Sequence, residues 1–314
     1  MARNSVPSAS PALASDHEQR RSLPVSLIVS VRPHQWTKNL FVFAGLIFGV
    51  RLFDPAAATA AGIAFIAFCA LSSAVYLLND IRDRDADRLH PVKRRRPIAA
   101  GDLSVPFAAT MALILAGTGA TLAFGLSRNF GIVAMTYLAL NLLYSSLLKH
   151  VVILDVLVLS MGFVMRAWGG AVAVEVAFSH WLLLLVLLLA LFLALSKRRA
   201  ELVALADDAK AHRRSLAEYS PYLLDQMIGV VTASTLIAYA FYTIDPETVA
   251  KFGTDHLLWT VPFPLYGIFR YLYLVHQREG GGNPSEMLLT DKPLLACVAL
   301  WGAFVIAIVY GPLR

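Results

Sequence analysis

The amino-acid sequence predicts an all-α fold, a polytopic bundle of about nine transmembrane helices, on three observations. Of the 314 residues, 58% are hydrophobic and only 15% are charged, whereas soluble globular domains carry about 25% charged residues. The mean hydropathy is +0.63. Apolar stretches long enough to cross a bilayer, which takes about 20 residues, follow one another along most of the chain. This composition excludes a soluble globular protein.

Nine apolar stretches are candidate membrane spans. They are 34–52, 57–78, 105–127, 130–148, 151–172, 180–196, 222–243, 257–277 and 292–312. Gly169 and Gly170 in the fifth predict a close approach between helices. Residues 1–24 lack an apolar core and are expected to form a disordered cytoplasmic tail. Because no long linker or repeat interrupts the remainder, residues 25–314 are expected to form a single transmembrane catalytic domain.

The distribution of basic residues predicts the orientation of the bundle. With the N-terminus inside, 21 of the 27 Lys and Arg fall in the tail and the cytoplasmic segments, and four face outward. We therefore expect a multi-pass protein of the inner (cytoplasmic) membrane whose active site faces the cytoplasm. Topology also explains the net charge of +6, so no nucleic acid partner is expected. No motif encodes an oligomeric state, and a homo-oligomer is left open.

A cluster of acidic residues follows the second span. At about 100° per residue on a helix, Asp80, Asp83 and Asp87 fall within an arc of roughly 80°, with Asn79 beside them. Three carboxylates on one face repel one another and favour a bound cation. Hard oxygen ligands of this kind suit Mg²⁺, which shares its coordination shell with substrate phosphates. The alternative is a solvated helix end whose aspartates form surface ion pairs with Arg84.

A basic run comes directly after the acids and lies between two prolines. It contains Lys93, Arg94 and Arg96 within residues 90–101. Carboxylates that hold a metal, followed by cations that take phosphate charge, suit a metal–diphosphate complex. The alternative is an anchor for anionic lipid head groups.

These residues resemble the UbiA superfamily of intramembrane prenyltransferases. The resemblance lies in NDxxDxxxD at 79–87 followed by HPxKRxRPIAxG at 90–101, and it covers nearly the whole chain after residue 25. Within the superfamily the sequence is similar to the decaprenyl-phosphate phosphoribosyltransferase branch. That similarity lies in RPHQWTKN at 32–39, LKH at 148–150, RA at 166–167, KRRAEL at 197–202, RRSL at 213–216 and Tyr219.

One departure from the wider superfamily bears on the substrate. Aromatic prenyltransferases carry a second acidic motif, typically DxxxD, after the sixth span, whereas this chain has a basic run that begins at Lys197. Glu201 remains there as a ligand or an orienting group. A more cationic loop suits a donor with more phosphate, such as phosphoribosyl diphosphate.

The resemblance implies a Mg²⁺-dependent transfer of 5-phosphoribose from phosphoribosyl diphosphate to a polyprenyl phosphate such as decaprenyl phosphate. The product would feed arabinose donors for cell-envelope glycans. The expected metal ligands are Asn79, Asp80, Asp83 and Asp87, and the expected catalytic residues are Asp80, Asp83, Asp87 and Glu201. The expected substrate-binding residues are Lys38, Lys93, Arg94, Arg96, Tyr144, Arg166, Lys197, Arg198 and Arg213.

Two of these residues have open alternatives. Arg166 lies inside a span, where a charge is costly and is expected to face a polar cavity; its alternative is a structural ion pair with Asp155. Tyr144 is expected to line the cavity, with ordinary core packing as its alternative.

Two other functions compete with phosphoribosyl transfer. A UbiA-type prenyltransferase would move a prenyl group from its diphosphate to an aromatic acceptor, and the missing DxxxD argues against it. A transporter or scaffold would place polar residues near the middle of the bilayer, whereas here they concentrate at span ends.

Overall fold

The structure, a computed structural model, describes residues 21–177, 179–204, 218–277, 287–288 and 290–311. Throughout these ranges the regular elements are helical. The α-helices are α1 Leu23–Val31, α2 Ala44–Phe48, α3 Pro55–Arg82, α4 Arg84–Leu89, α5 Pro97–Ala100, α6 Val105–Leu126, α7 Arg128–Ser146, α8 Leu154–Ala173, α9 His180–Ala204, α10 Pro221–Ile244, α11 Pro246–Phe252, α12 Pro262–Gln277 and α13 Lys292–Tyr310. Short 3₁₀ segments cover Pro33–Phe43, Lys93–Arg95, Leu148–His150 and His256–Thr260.

The membrane-spanning character of the bundle is confirmed, although the count of nine is not. Six helices in the described ranges are long and apolar enough to cross a membrane, namely α3, α6, α8, α9, α10 and α13. The predicted span 34–52 is instead a 3₁₀ segment followed by the short α2, and 257–277 is divided where α12 begins at Pro262. Proline lacks an N–H group and so begins a helix more readily than it continues one. Span 130–148 corresponds to α7, which is long enough to cross a membrane but is less apolar than the six helices named above.

Capping residues set the start of several long helices. The side chain of Asp54 accepts hydrogen bonds from the N–H groups of Ala56 and Ala57, and Pro55 occupies the first turn of α3. Ser220 and Asp291 cap α10 and α13 in the same way. Such caps satisfy N–H groups that have no partner within the helix.

Of the apolar cores found in the described residues, two position the site. One is centred on Phe68, Phe130 and Tyr137, where α3, α7 and α8 pack. The other contains Phe192 and Tyr271 and joins α9, α10 and α12. The two groups of helices meet where α8 packs against α9, so α8 positions side chains from both halves.

The segment Pro33–Phe43 packs along α8, and a glycine permits the close approach. A Cβ atom at Gly170 would lie only 1.9 Å from the carbonyl oxygen of Val42. This contact confirms the close packing predicted from Gly169 and Gly170. It also brings Lys38 and Asn39 beside the middle of α8.

Candidate active site

The acidic cluster lies at the charged end of the bundle, which we define as the end where α3, α7 and α9 finish and α8 and α10 begin. Asp80 and Asp87 are both buried there. Each accepts a hydrogen bond from the same nitrogen of Arg96, Nη1, at 3.1 Å for Asp80 Oδ1 and 2.7 Å for Asp87 Oδ2. Because one nitrogen reaches both, the two carboxylates converge.

The predicted arc on one continuous helix is corrected by the structure. α3 ends at Arg82, Asp83 adopts φ −89° and ψ 4°, and α4 begins at Arg84. Asp83 therefore points elsewhere and pairs with Lys149, whose Nζ lies 3.3 Å from its Oδ1. Asn79 is half-buried one residue before Asp80. Within the described ranges, no three Asp, Glu, His or Cys side chains converge into a metal site by themselves.

The basic run divides into outward and inward parts. Lys93 and Arg94 are exposed, whereas Arg96 is half-buried against the carboxylates. Arg96 is the N-cap of α5, which Pro97 begins, and Gly101 ends that helix with φ +86°. Only a residue that tolerates this left-handed conformation can end the helix so tightly. The start of α5 at Pro97 thus fixes the backbone next to Arg96.

Arg32 completes the cation layer over Asp80, although it was not among the site residues expected from the sequence. It ends α1 in the left-handed region, with φ 58° and ψ 62°, immediately before Pro33. Its Nη2 donates to Asp80 Oδ1, and its guanidinium lies 5.0 Å from the ring centroid of Tyr76. The sequence signal was an arginine directly before a proline at the start of the stretch RPHQWTKN, and its left-handed conformation, which is uncommon for a residue other than glycine, is visible only in the structure.

Arg166 is buried in the middle of α8 and is held by neutral groups. It donates to Asn39 Oδ1 at 2.7 Å, to the Gly162 carbonyl oxygen at 2.9 Å and to the Tyr137 hydroxyl at 2.6 Å. Its guanidinium also lies over the Tyr137 and Phe163 rings. The alternative ion pair with Asp155 is wrong, because Asp155 pairs with Arg198. The positive charge of Arg166 is therefore solvated by dipoles and aromatic rings.

Lys38 lies near this arginine and is surrounded by cations. Lys197, Arg166 and Arg32 all act on it electrostatically. Across the described part of the chain, no hydrogen bond or ion pair of Lys38 is found. A half-buried lysine that faces three other cations without an acid favours an anionic ligand.

The end of α9 carries a second charged cluster. Arg198 is buried; its Nε lies 3.0 Å from Asp155 Oδ2 and its Nη1 donates to Glu201 Oε2. Lys197 Nζ lies 3.8 Å from Glu201 Oε1. Two carboxylates of the protein thus compensate Arg198, whereas Lys197 remains nearly half exposed beside Lys38.

Tyr219 joins this cluster from the residues before α10. Its hydroxyl donates to Asp155 Oδ1 at 2.8 Å and accepts from the Ile153 N–H at 2.8 Å. Burial, together with the hydrogen bond to Asp155, raises the pKa of Tyr219 above its usual range. Tyr219 therefore stays a protonated donor throughout the physiological pH range.

The remaining predicted residues have mixed outcomes. Tyr144 is half-buried and acts electrostatically on Arg198, which brings it to the α9 cluster. Arg213 lies outside the described residues. Lys149, Asp155 and Tyr219 were not assigned from sequence as site residues. The signal for Asp155 was an acid in the first turn of an apolar helix, and the signal for Lys149 was a lone cation between two apolar stretches.

These residues define a class of protein. A helical membrane bundle has, at one end, two converging buried carboxylates, a layer of guanidinium groups and a lysine, Lys38, that faces other cations and has no acidic partner in the described ranges. Such a site can bind a polyphosphate and stabilise the charge that develops on a leaving group.

Comparisons with known proteins agree with this class. The model of the UbiA prenyltransferase family matches residues 39–290. The decaprenyl-phosphate phosphoribosyltransferase of Mycolicibacterium smegmatis is 33% identical over 303 residues, which cover 92% of this chain and 94% of that protein. The decaprenyl-phosphate phosphoribosyltransferase of Corynebacterium glutamicum is 35% identical over 298 residues, covering 92% and 88%.

A solved structure shares the fold. The UbiA homolog from Archaeoglobus fulgidus bound to GPP and Mg²⁺ superposes with a TM-score of 0.71 at 17% identity, over 90% of this chain and 99% of that one. The chain therefore belongs to the UbiA prenyltransferase family, and it is a membrane transferase.

Proposed function

We propose that this protein transfers a 5-phosphoribosyl group from phosphoribosyl diphosphate to a polyprenyl phosphate and releases diphosphate. The observation that carries the proposal is Lys38, which faces Lys197, Arg166 and Arg32 and has no acidic partner of its own in the described ranges. A prenyl diphosphate has one anionic group, whereas phosphoribosyl diphosphate has two. Two relatives that match over 92% of the chain carry the corresponding name.

The carboxylates Asp80 and Asp87 suit Mg²⁺ as a cofactor. Mg²⁺ is usually held by one or two carboxylates and by substrate phosphates, and these two buried side chains converge on one nitrogen of Arg96. Asp83 and Asn79 would be the neighbouring ligands, Asp83 by exchanging its ion pair with Lys149 for the cation. When bound, the ion would neutralise diphosphate charge and so favour its departure.

The protein's own cations bind the two ends of the donor. Arg96 and Arg32 lie over the carboxylates and would take the diphosphate oxygens, with Lys93 and Arg94 at the exposed rim. Lys38 and Lys197 would hold the 5-phosphate, together with Arg166 and Arg213. Arg198 would not bind phosphate itself, because Asp155 and Glu201 already compensate its charge. Its role would be to hold the neighbouring residues in place.

The reaction needs positioning more than acid–base chemistry. The bond between the anomeric carbon and the diphosphate oxygen breaks, and a lipid phosphate oxygen forms the new bond from the opposite face, which inverts that carbon. A phosphate monoester is an adequate nucleophile at neutral pH, so no strong base is required. Holding the reactants in line and stabilising the leaving charge supply the rate enhancement.

Three further features belong to the proposal. The bundle lies in the inner membrane with its charged end toward the cytoplasm, where phosphoribosyl diphosphate is made. The lipid chain of decaprenyl phosphate, or of a similar polyprenyl phosphate, enters between helices. The product, a polyprenyl-phosphoryl 5-phosphoribose, would supply arabinose donors for cell-envelope glycans.

The test is direct transfer of label. Purified protein is incubated with Mg²⁺, decaprenyl phosphate and radiolabelled phosphoribosyl diphosphate, and the organic phase is counted. We expect labelled lipid that is lost on addition of EDTA and in Asp83→Ala. If no lipid is labelled, while a prenyl diphosphate is consumed with an aromatic acceptor, the proposal is overturned in favour of prenyl transfer.

A further inference from the structure

Asp155 is a buried carboxylate that the proposed chemistry does not use. Its side chain is fully shielded from solvent, and both oxygens are occupied. Oδ2 receives Arg198 from the end of α9, and Oδ1 receives the Tyr219 hydroxyl from the residues before α10. These partners are 43 and 64 residues away in sequence, so one side chain ties the first turn of α8 to two other elements.

The connections continue from Asp155 to the proposed phosphate site. Arg198, aligned by Asp155, donates its Nη1 to Glu201, and Glu201 lies 3.8 Å from Lys197 Nζ. Lys197 acts electrostatically on Lys38. A continuous series of charged contacts therefore connects buried Asp155, through Arg198 and Glu201, to the half-exposed Lys197.

The backbone beside Asp155 is also constrained. Ile153 has φ +69° and ψ −47°, a conformation that is costly for a β-branched residue. Its N–H donates to the same Tyr219 hydroxyl that binds Asp155. Strained backbone persists where surrounding contacts hold it, and it clusters at functional sites.

We propose that Asp155 is a positioning residue that, through Arg198 and Glu201, sets the place of Lys197 opposite Lys38 for a phosphate of the donor. Tyr219 holds the second oxygen of Asp155 and so prevents the carboxylate from rotating away from Arg198. This inference rests on the proposed function for the identity of the phosphate. Asp155 itself touches no substrate.

The experiment compares two Asp→Asn variants of the full-length protein. Asp155→Asn keeps the size of the side chain and removes its charge. Asp54→Asn is the matched control, because Asp54 caps α3 at the opposite end of the bundle. We expect Asp155→Asn to raise the KM for phosphoribosyl diphosphate roughly tenfold, with the KM for the lipid phosphate unchanged. Asp54→Asn should leave both KM values unchanged.

A double-mutant cycle tests whether Asp155 acts through Lys197. If it does, adding Asp155→Asn to Lys197→Met raises the KM for the donor much less than the two single effects combined. A purely structural role would lower the active fraction and leave the KM of the remaining enzyme unchanged, and this outcome overturns the proposal. If Asp155→Asn fails to fold, Tyr219→Phe, which removes one of the two bonds to Asp155, takes its place in the same measurements.

A binding measurement separates this inference from the proposed function. If the wild-type protein does not transfer phosphoribose, titration with ribose 5-phosphate, which carries the 5-phosphate and no diphosphate, still reports on the site of Lys38 and Lys197. Weaker ribose 5-phosphate binding by Asp155→Asn than by Asp54→Asn would support positioning even then. Equal binding by the two variants would refute it.

Discussion

The two carboxylates that share Arg96 differ from their neighbour Asp85 in burial and in partners. Asp80 and Asp87 are buried, whereas Asp85 is exposed and pairs with Arg84 and Arg88 on the surface. We expect Asp80→Asn or Asp87→Asn to lower kcat/KM by about a hundredfold or more, the size of effect seen when charge stabilisation at a reacting centre is removed. Asp85→Asn should stay within about twofold, because exposed ion pairs contribute little. Initial rates of the three variants check this, and equal losses would contradict the assignment.

Lys38 gives a second prediction at the scale of one residue. If it binds a substrate phosphate, Lys38→Met loses a charged hydrogen bond of about 1.5–3 kcal/mol, which corresponds to a rise of roughly 10- to 100-fold in the KM for phosphoribosyl diphosphate. Lys251→Met is the control, since Lys251 lies on α11 at the other end of the bundle and donates to the Ala177 carbonyl oxygen. A Lys38→Met enzyme with an unchanged donor KM would remove Lys38 from the site.

The sequence predicted which residues would share the site where those residues lie close together in the chain. Asp80, Asp87 and Arg96 lie within 17 consecutive residues, and the structure brings them into contact. Arg32, Lys149, Asp155 and Tyr219 reach the site across large separations in the chain, and only tertiary packing brings them there. The role of Arg198 was also beyond sequence reasoning, because its burial between Asp155 and Glu201 depends on three elements.

At the scale of elements, the contact between α8 and the Pro33–Phe43 segment has no spare space. A methyl group at Gly170 would clash with the Val42 carbonyl oxygen at 1.9 Å. We expect Gly170→Ala to destabilise the protein by about 1–3 kcal/mol, the usual cost of overpacking, and to lower its Tm in detergent. Gly117→Ala in α6 is the control, because nothing lies within 4 Å of its added Cβ. An unchanged Tm for Gly170→Ala would show that the two elements separate easily.

Helix boundaries were less predictable than helix existence. Hydropathy identified the apolar stretches, and six of them are long helices. The predicted span 34–52 merged the 11-residue 3₁₀ segment Pro33–Phe43, whose first half is polar, with the apolar α2 that follows it, because average hydropathy does not register a change of helix type. The break within the acidic cluster was likewise hidden, since Asp83 is not a strong helix-ending residue and its pairing with Lys149 depends on tertiary packing.

For the whole molecule, the orientation in the membrane is a testable consequence of the charge distribution. Val92 lies after α4, beside the basic run at the charged end, and Phe53 lies just before the start of α3 at the opposite end; both are highly exposed, at 72% and 76%. The two native cysteines, Cys69 and Cys297, are buried. In spheroplasts, we expect a membrane-impermeant maleimide to label Phe53→Cys at once and Val92→Cys only after lysis. The opposite pattern would place the charged end outside the cytoplasm.

The hydrogen bonds that Asp80 and Asp87 share with Arg96 make the binding of a divalent cation and the binding of a phosphate depend on each other. Asp80 and Asp87 both accept hydrogen bonds from this guanidinium, so a phosphate that binds it has to compete with them. A divalent cation bound by the carboxylates would leave Arg96 to the phosphate, and a phosphate bound by Arg96 would leave the carboxylates to a cation. The two ligands are therefore coupled thermodynamically, and each must raise the affinity for the other by the same factor.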